Sequence, residues 1–102
     1  MMAPTFGWAE FIKDRQSWVL LSISLQRGYV LGVMDQSSLV DPTNQRETTF
    51  KVAVNNCMFD MKLTNDDLVT IINKHYETPE NWKDMPIWAL RTGLSKVCKV
   101  EY

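Results

Sequence analysis

Cysteine is scarce in this chain of 102 residues: Cys57 and Cys98 are the two present, alongside one histidine, His75, and four glycines. With no CxxC or HxxxH spacing among them, a zinc site is not expected. The glycines stand singly, so a phosphate-cradling loop is not expected either, and no cofactor is implied. No stretch reaches the roughly 20 uninterrupted apolar residues that span a bilayer, and the most apolar run, Trp18 to Leu25, is cut by Ser22 and Ser24. A membrane is therefore not an expected partner. An excess of one charge is missing too, since 11 Lys and Arg are interspersed with 12 Asp and Glu. Without a basic face to neutralise phosphates, nucleic acid is not expected. Internal repeats and low-complexity segments are absent.

What is present suits an ordinary folded domain. Hydrophobic residues make up 45% of the chain and charged residues 23%, average globular usage that argues against a disordered or fibrous chain. This length supports one hydrophobic core rather than two, so residues 1–102 are read as a single domain. The opening, MMAPTFGWAEFIKDRQ, lacks a basic region followed by a continuous apolar one. The expectation is cytoplasmic as the sequence stands, and periplasmic if a signal segment has been removed.

Apolar residues at Phe11, Trp18 and Leu25, and at Ile12, Val19, Ile23, Val30 and Met34, recur in steps of three, four and seven. This pattern predicts a long helix, with Gly28 as the place for a break. Alternation at Val19, Leu21, Ile23 and Leu25 keeps open an α+β fold, with a short antiparallel sheet from residues 17–34 and 48–55. The stretch from Asp35 to Thr48 reads as the principal loop, and the β-branched TTFKVAVNN after it reads as a short extended segment. The clearest helix begins at Thr64 as N-cap, with Asp66 and Asp67 in its first turn and Leu68, Ile71, Ile72 and His75 on one face. Leu63 and Leu68 are placed as a hydrophobic staple, and Thr78 before Pro79 ends the helix near Tyr76. Pro79 and Pro86 sit at new helical starts, with Thr78 and Asp84 as caps. The last helix carries Ile87, Leu90, Leu94 and Val97, and Gly93 within it suggests close approach of another backbone. The expected fold is mostly α, a small helical domain with a C-terminal helical hairpin spanning Cys57 to Cys98.

Catalytic chemistry finds little support. His75 lies on an apolar helix face, where a core histidine is the ordinary reading. Asp66 with Asp67, and Glu77 with Glu80, are explained by a helix start and a proline turn. A small enzyme using Cys57, Cys98 and His75 is the dissenting hypothesis; the expected function is non-enzymatic. Trp82, Trp88 and Trp8 do not all fit apolar stripes and, with Tyr76, are candidates for a protein-binding surface. The same apolar surfaces suit self-association into a homodimer. The hairpin would bring Cys57 and Cys98 together, and spacing alone leaves open a disulfide or two reduced, buried thiols.

Gly28, Tyr29, Gly32 and Asp35 in GYVLGVMD, followed by Cys57, Thr64, Leu68, Pro79, Glu80, Leu90, Leu94 and Cys98, resemble the Rap/Tai family of type VI secretion immunity proteins. The resemblance runs from Gly28 to Cys98. It implies a compact helical scaffold that covers another protein's active site, a toxin as partner, and a bridge between Cys57 and Cys98. The alternative expectation is a cytoplasmic inhibitor of a host or defence enzyme, encoded by a phage or mobile element, with reduced cysteines.

Overall fold

The structure, a computed structural model, describes residues 12–37 and 43–102. Five α-helices occur among them: α1 (Arg15–Val19), α2 (Ile23–Ser37), α3 (Gln45–Met61), α4 (Asn65–His75) and α5 (Pro86–Cys98), with a 3₁₀ turn at Pro79–Asn81. No strand occurs among the described residues, so the sheet alternative over 17–34 and 48–55 does not hold.

The long first helix is two helices, and the break lies before Gly28. Asp14 caps α1, its Oδ1 accepting from the Ser17 N–H at 3.0 Å and from the Ser17 hydroxyl at 3.1 Å. The chain then turns at Leu20, and the Ser22 hydroxyl accepts from the Leu25 N–H at 3.2 Å to open α2. Trp18 is wholly buried, its Nε1 donating to Asn73 Oδ1 at 2.8 Å and its ring meeting Tyr29 edge-on with centroids 5.6 Å apart. A ring of that size removes roughly 150–250 Å² from water, on the order of 4–6 kcal/mol of transfer free energy. The buried Gln26 side chain donates to the Trp18 carbonyl at 3.0 Å, tying α2 to α1. Val19, Ile23 and Leu25, expected on the core face, are exposed because the break rotates them away.

The extended segment expected after the loop is the heart of α3. Asn44 accepts from the Glu47 N–H at 3.0 Å, and Glu47 complements the positive end of the helix dipole. Phe50 and Val54, one turn apart, are buried, and Met58 packs against the same core. The predicted loop from Asp35 to Thr48 is correspondingly shorter, since α2 runs to Ser37 and α3 begins at Gln45.

Helix α4 forms as expected, with a full capping box: the Thr64 hydroxyl accepts from the Asp67 N–H at 3.1 Å and Asp67 Oδ2 accepts from the Thr64 N–H at 2.8 Å. Pro86 opens α5, but Asp84 does not cap it. Instead its carboxylate holds His75 Nε2 at 2.8 Å. Helices α4 and α5 pack as the predicted hairpin. The close approach at Gly93 comes from a side chain: an added Cβ would collide with Cγ2 of Ile71.

A disulfide joins Cys57 to Cys98, with Cα atoms 5.8 Å apart. Cys57 does not sit at the hairpin's mouth; it lies inside α3, so the bond ties α3 to α5. Glu47 meets Arg91 and Cys57 meets Cys98, so the two helices run parallel.

Candidate protein-binding face

Parallel packing of α3 and α5 leaves a groove between their outer faces, closed by the end of the chain. Beyond α5 the backbone turns at Lys99, and the Val100 N–H donates to the Ser95 carbonyl at 3.0 Å. The Ser95 hydroxyl in turn donates to the Val100 carbonyl at 2.5 Å. This reversal carries Tyr102 back over α3. Its ring lies 4.3 Å from the Arg46 guanidinium and 4.6 Å from that of Arg91, and its carbonyl accepts from Arg46 Nε at 2.6 Å.

Arg91 is the hub. Its guanidinium reaches both oxygens of Glu47, at 2.6 and 3.0 Å, and stands over the rings of Phe50 at 4.4 Å and Trp88 at 5.7 Å. A bidentate pair fixes the plane of the guanidinium as well as its place, so the aromatic rings around it are held in register. The Arg91 guanidinium also holds the Glu47 carboxyl below its ordinary value. The groove encloses about 550 Å³. Trp88 is 55% exposed and Tyr102 45%, and Trp, Tyr and Arg are the residue types that dominate binding energy at protein interfaces. Alongside, a smaller apolar slot of about 60 Å³ opens between α2, α3 and α5, lined by Val33, Met34, Val54 and Ile87, with Phe50 and Arg91 forming its wall with the groove.

The other residues expected at a binding surface lie elsewhere. Trp82 is 46% exposed, yet both its ring and backbone serve the fold. Its Nε1 donates to the Tyr76 carbonyl at 2.9 Å, its carbonyl accepts from the Arg15 N–H at 2.8 Å, and Arg15 stacks 4.7 Å over its ring. It pins α1 to the turn between α4 and α5. Tyr76 is a core residue at 4% exposure, not a surface contact, and its hydroxyl donates to the Asp84 carbonyl at 2.5 Å. Burial pushes that hydroxyl far above the ordinary tyrosine range. Trp8 lies outside the described residues.

Of the residues expected at a binding surface, Trp88 lies on this face; Arg46, Glu47, Phe50, Arg91 and Tyr102, which surround it, are not among those expectations. The spacing of Trp88 and Arg91, three apart on one helix, carries a local signal. The pairing of Arg91 with Glu47, 44 positions away, carries none. His75, half-buried at the end of α4, is occupied by Asp84 and Tyr76 within the hairpin. Among the described residues no three His, Cys, Asp or Glu side chains gather as a metal site. No helix among them is long and apolar enough to cross a membrane. Comparison with protein-family models, with curated proteins and with solved structures finds no match to this chain.

Proposed function

We propose that this is a small non-enzymatic protein that binds and inhibits another protein, similar to a toxin-neutralising immunity protein of the Rap/Tai type. The observation that carries the reading is the preorganised cluster of Trp88, Arg91 and Tyr102, with both rings exposed around a half-buried guanidinium whose geometry is fixed by the Glu47 pair. A surface ordered before it meets its partner loses less entropy on binding. The Cys57–Cys98 bond supports the same reading, because it stiffens the helices that carry the face. Disulfides persist in oxidising compartments, which favours the periplasmic alternative over a cytoplasmic inhibitor.

The test is affinity capture from lysates of the native host and of its competitors, with wild-type protein and Trp88→Ala run in parallel. A stoichiometric partner retained by the wild type and lost by Trp88→Ala is the expected result. Because Trp88 is largely exposed, the variant keeps its fold, which circular dichroism verifies. Capture of no partner by the wild type, or equal retention by both, overturns the reading.

A further inference from the structure

We infer that the Cys57–Cys98 bond is a redox-sensitive latch on α3. Oxidised, it holds α3 against α5 and the exposed face is built; reduced, α3 undocks from a core that stays folded, and the face is lost. That the face receives a partner rests on the reading above; that α3 is the part released does not.

The deepest part of the core is assembled without α3. The largest side chains that are wholly buried, Trp18, Val30, Ile72, Pro86 and Leu90, come from α1, α2, α4 and α5. Among the described helices, α4 packs on both α2 and α5, whereas α3 packs chiefly on α5. What α3 adds is a ridge of Phe50, Val54 and the partly buried Met58. The apolar slot beside that ridge leaves the seam incompletely filled on the α2 side. Two fasteners bracket the ridge. Glu47 grips Arg91 near the start of α3, and roughly 15 Å further along the helix Cys57 is bonded to Cys98. Past Val54 the bond is therefore the strongest hold that α3 has on α5. A helix of 17 residues with β-branched Thr48, Thr49, Val52 and Val54 does not persist in water without packing, so its release unravels it.

The bond lies within reach of a reductant. Cys57 and Cys98 are both half-buried, and Cys57 Sγ stands 3.5 Å from the sulfur of Met61, a residue 52% exposed. A dithiol carries out the step in two exchanges. One of its thiolates attacks a sulfur of the bond, the S–S bond breaks, and the other cysteine leaves as a thiolate that takes up a proton. The second thiolate of the reductant then attacks the mixed disulfide, closing the reductant's own disulfide and freeing the remaining cysteine, which is also protonated. The protein gains two electrons and two protons, and the dithiol gives up both. Once α3 leaves, Arg91 loses the carboxylate that fixes its plane and the Phe50 ring beneath it, so the groove loses one wall.

The test is hydrogen exchange read by mass spectrometry, without denaturant, on the oxidised protein and on protein treated with dithiothreitol, with alkylation counting the free thiols. Both cysteines are expected to be alkylated after reduction. Amides of α3 from Phe50 to Met61 should then exchange about tenfold faster or more, while those of α2 and α4 stay within about twofold of the oxidised protein. Cys57→Ser/Cys98→Ser should show the reduced pattern with and without dithiothreitol. A bond that dithiothreitol does not open without denaturant, unchanged exchange in α3 once both thiols are free, or loss of protection from α2 and α4 together with α3 overturns the latch. Affinity capture separates the two levels. A partner held by the oxidised protein and lost on reduction is expected; equal capture by both forms overturns the latch's control of binding while the binder stands. Capture by neither removes the binder, and the exchange data alone then decide whether α3 is latched.

Discussion

Two lysines occupy a backbone conformation that most side chains avoid. Lys62, at φ 55°, ends α3, and Lys99, at φ 56°, ends α5. For an L residue this region costs roughly 1–2 kcal/mol, and glycine returns part of that as chain entropy in the unfolded state. Lys62 is exposed, so Lys62→Gly is expected to stabilise the protein by about 0.5–1 kcal/mol, read from the urea midpoint at constant m. Glu47 makes a second prediction at this scale. Its carboxyl is held below its ordinary value, chiefly by hydrogen bonds from Arg91. A lowered value in the folded state means stability that is fully present above the ordinary carboxylate range and is lost as pH falls through the lowered value. Wild-type stability should therefore decline on acidification more steeply than that of Glu47→Gln, measured by urea unfolding at a series of pH values. Parallel pH profiles would remove the Glu47 pair as the cause.

At the scale of the helices, glycines divide by surroundings. An added Cβ at Gly93 meets Ile71, whereas at Gly28 and Gly32 it meets nothing within 4 Å. Gly93→Ala is expected to destabilise by about 1–3 kcal/mol through overpacking, because Ile71 is β-branched and its χ1 is restricted in a helix. Gly28→Ala should stabilise by about 0.5–1 kcal/mol through helix propensity; thermal unfolding of the two variants measures both. This contrast also marks what sequence could reveal. Gly93 was recognisable as a close approach, though its neighbour is a side chain and not a backbone. Helix α4 was legible because Thr64, Asp67 and Leu68 act within one turn of each other. Helix α3 reads locally as an extended segment because Val52, Val54 and Thr49 favour strands, while its support comes from Asn44, from the core under Phe50 and from Cys98, which lies 41 positions beyond Cys57. The groove was invisible for the same reason: its hub joins Arg91 to Glu47 and Tyr102, residues brought together only by the parallel packing of two helices.

For the whole molecule the disulfide is the largest single constraint. Closing a loop of 41 positions restricts the unfolded chain by about 4 kcal/mol in the loop-entropy treatment, a large share of the roughly 5–15 kcal/mol that stabilises a typical domain. Cys57→Ser/Cys98→Ser is accordingly expected to lower the unfolding midpoint by about 20 °C, and the wild type with reductant should follow it. Equal midpoints with and without reductant would show that the bond adds nothing to stability. The bond also changes what it means to cut this protein. Because it spans from within α3 to the end of α5, a single cleavage in the turn that carries Trp82 and Lys83 leaves both pieces on one molecule. Such a nicked form would migrate intact under non-reducing denaturing electrophoresis and separate into two fragments only after reduction. Among proteases the protein would thus survive a break in its backbone that would release half of its scaffold if the two sulfurs were free.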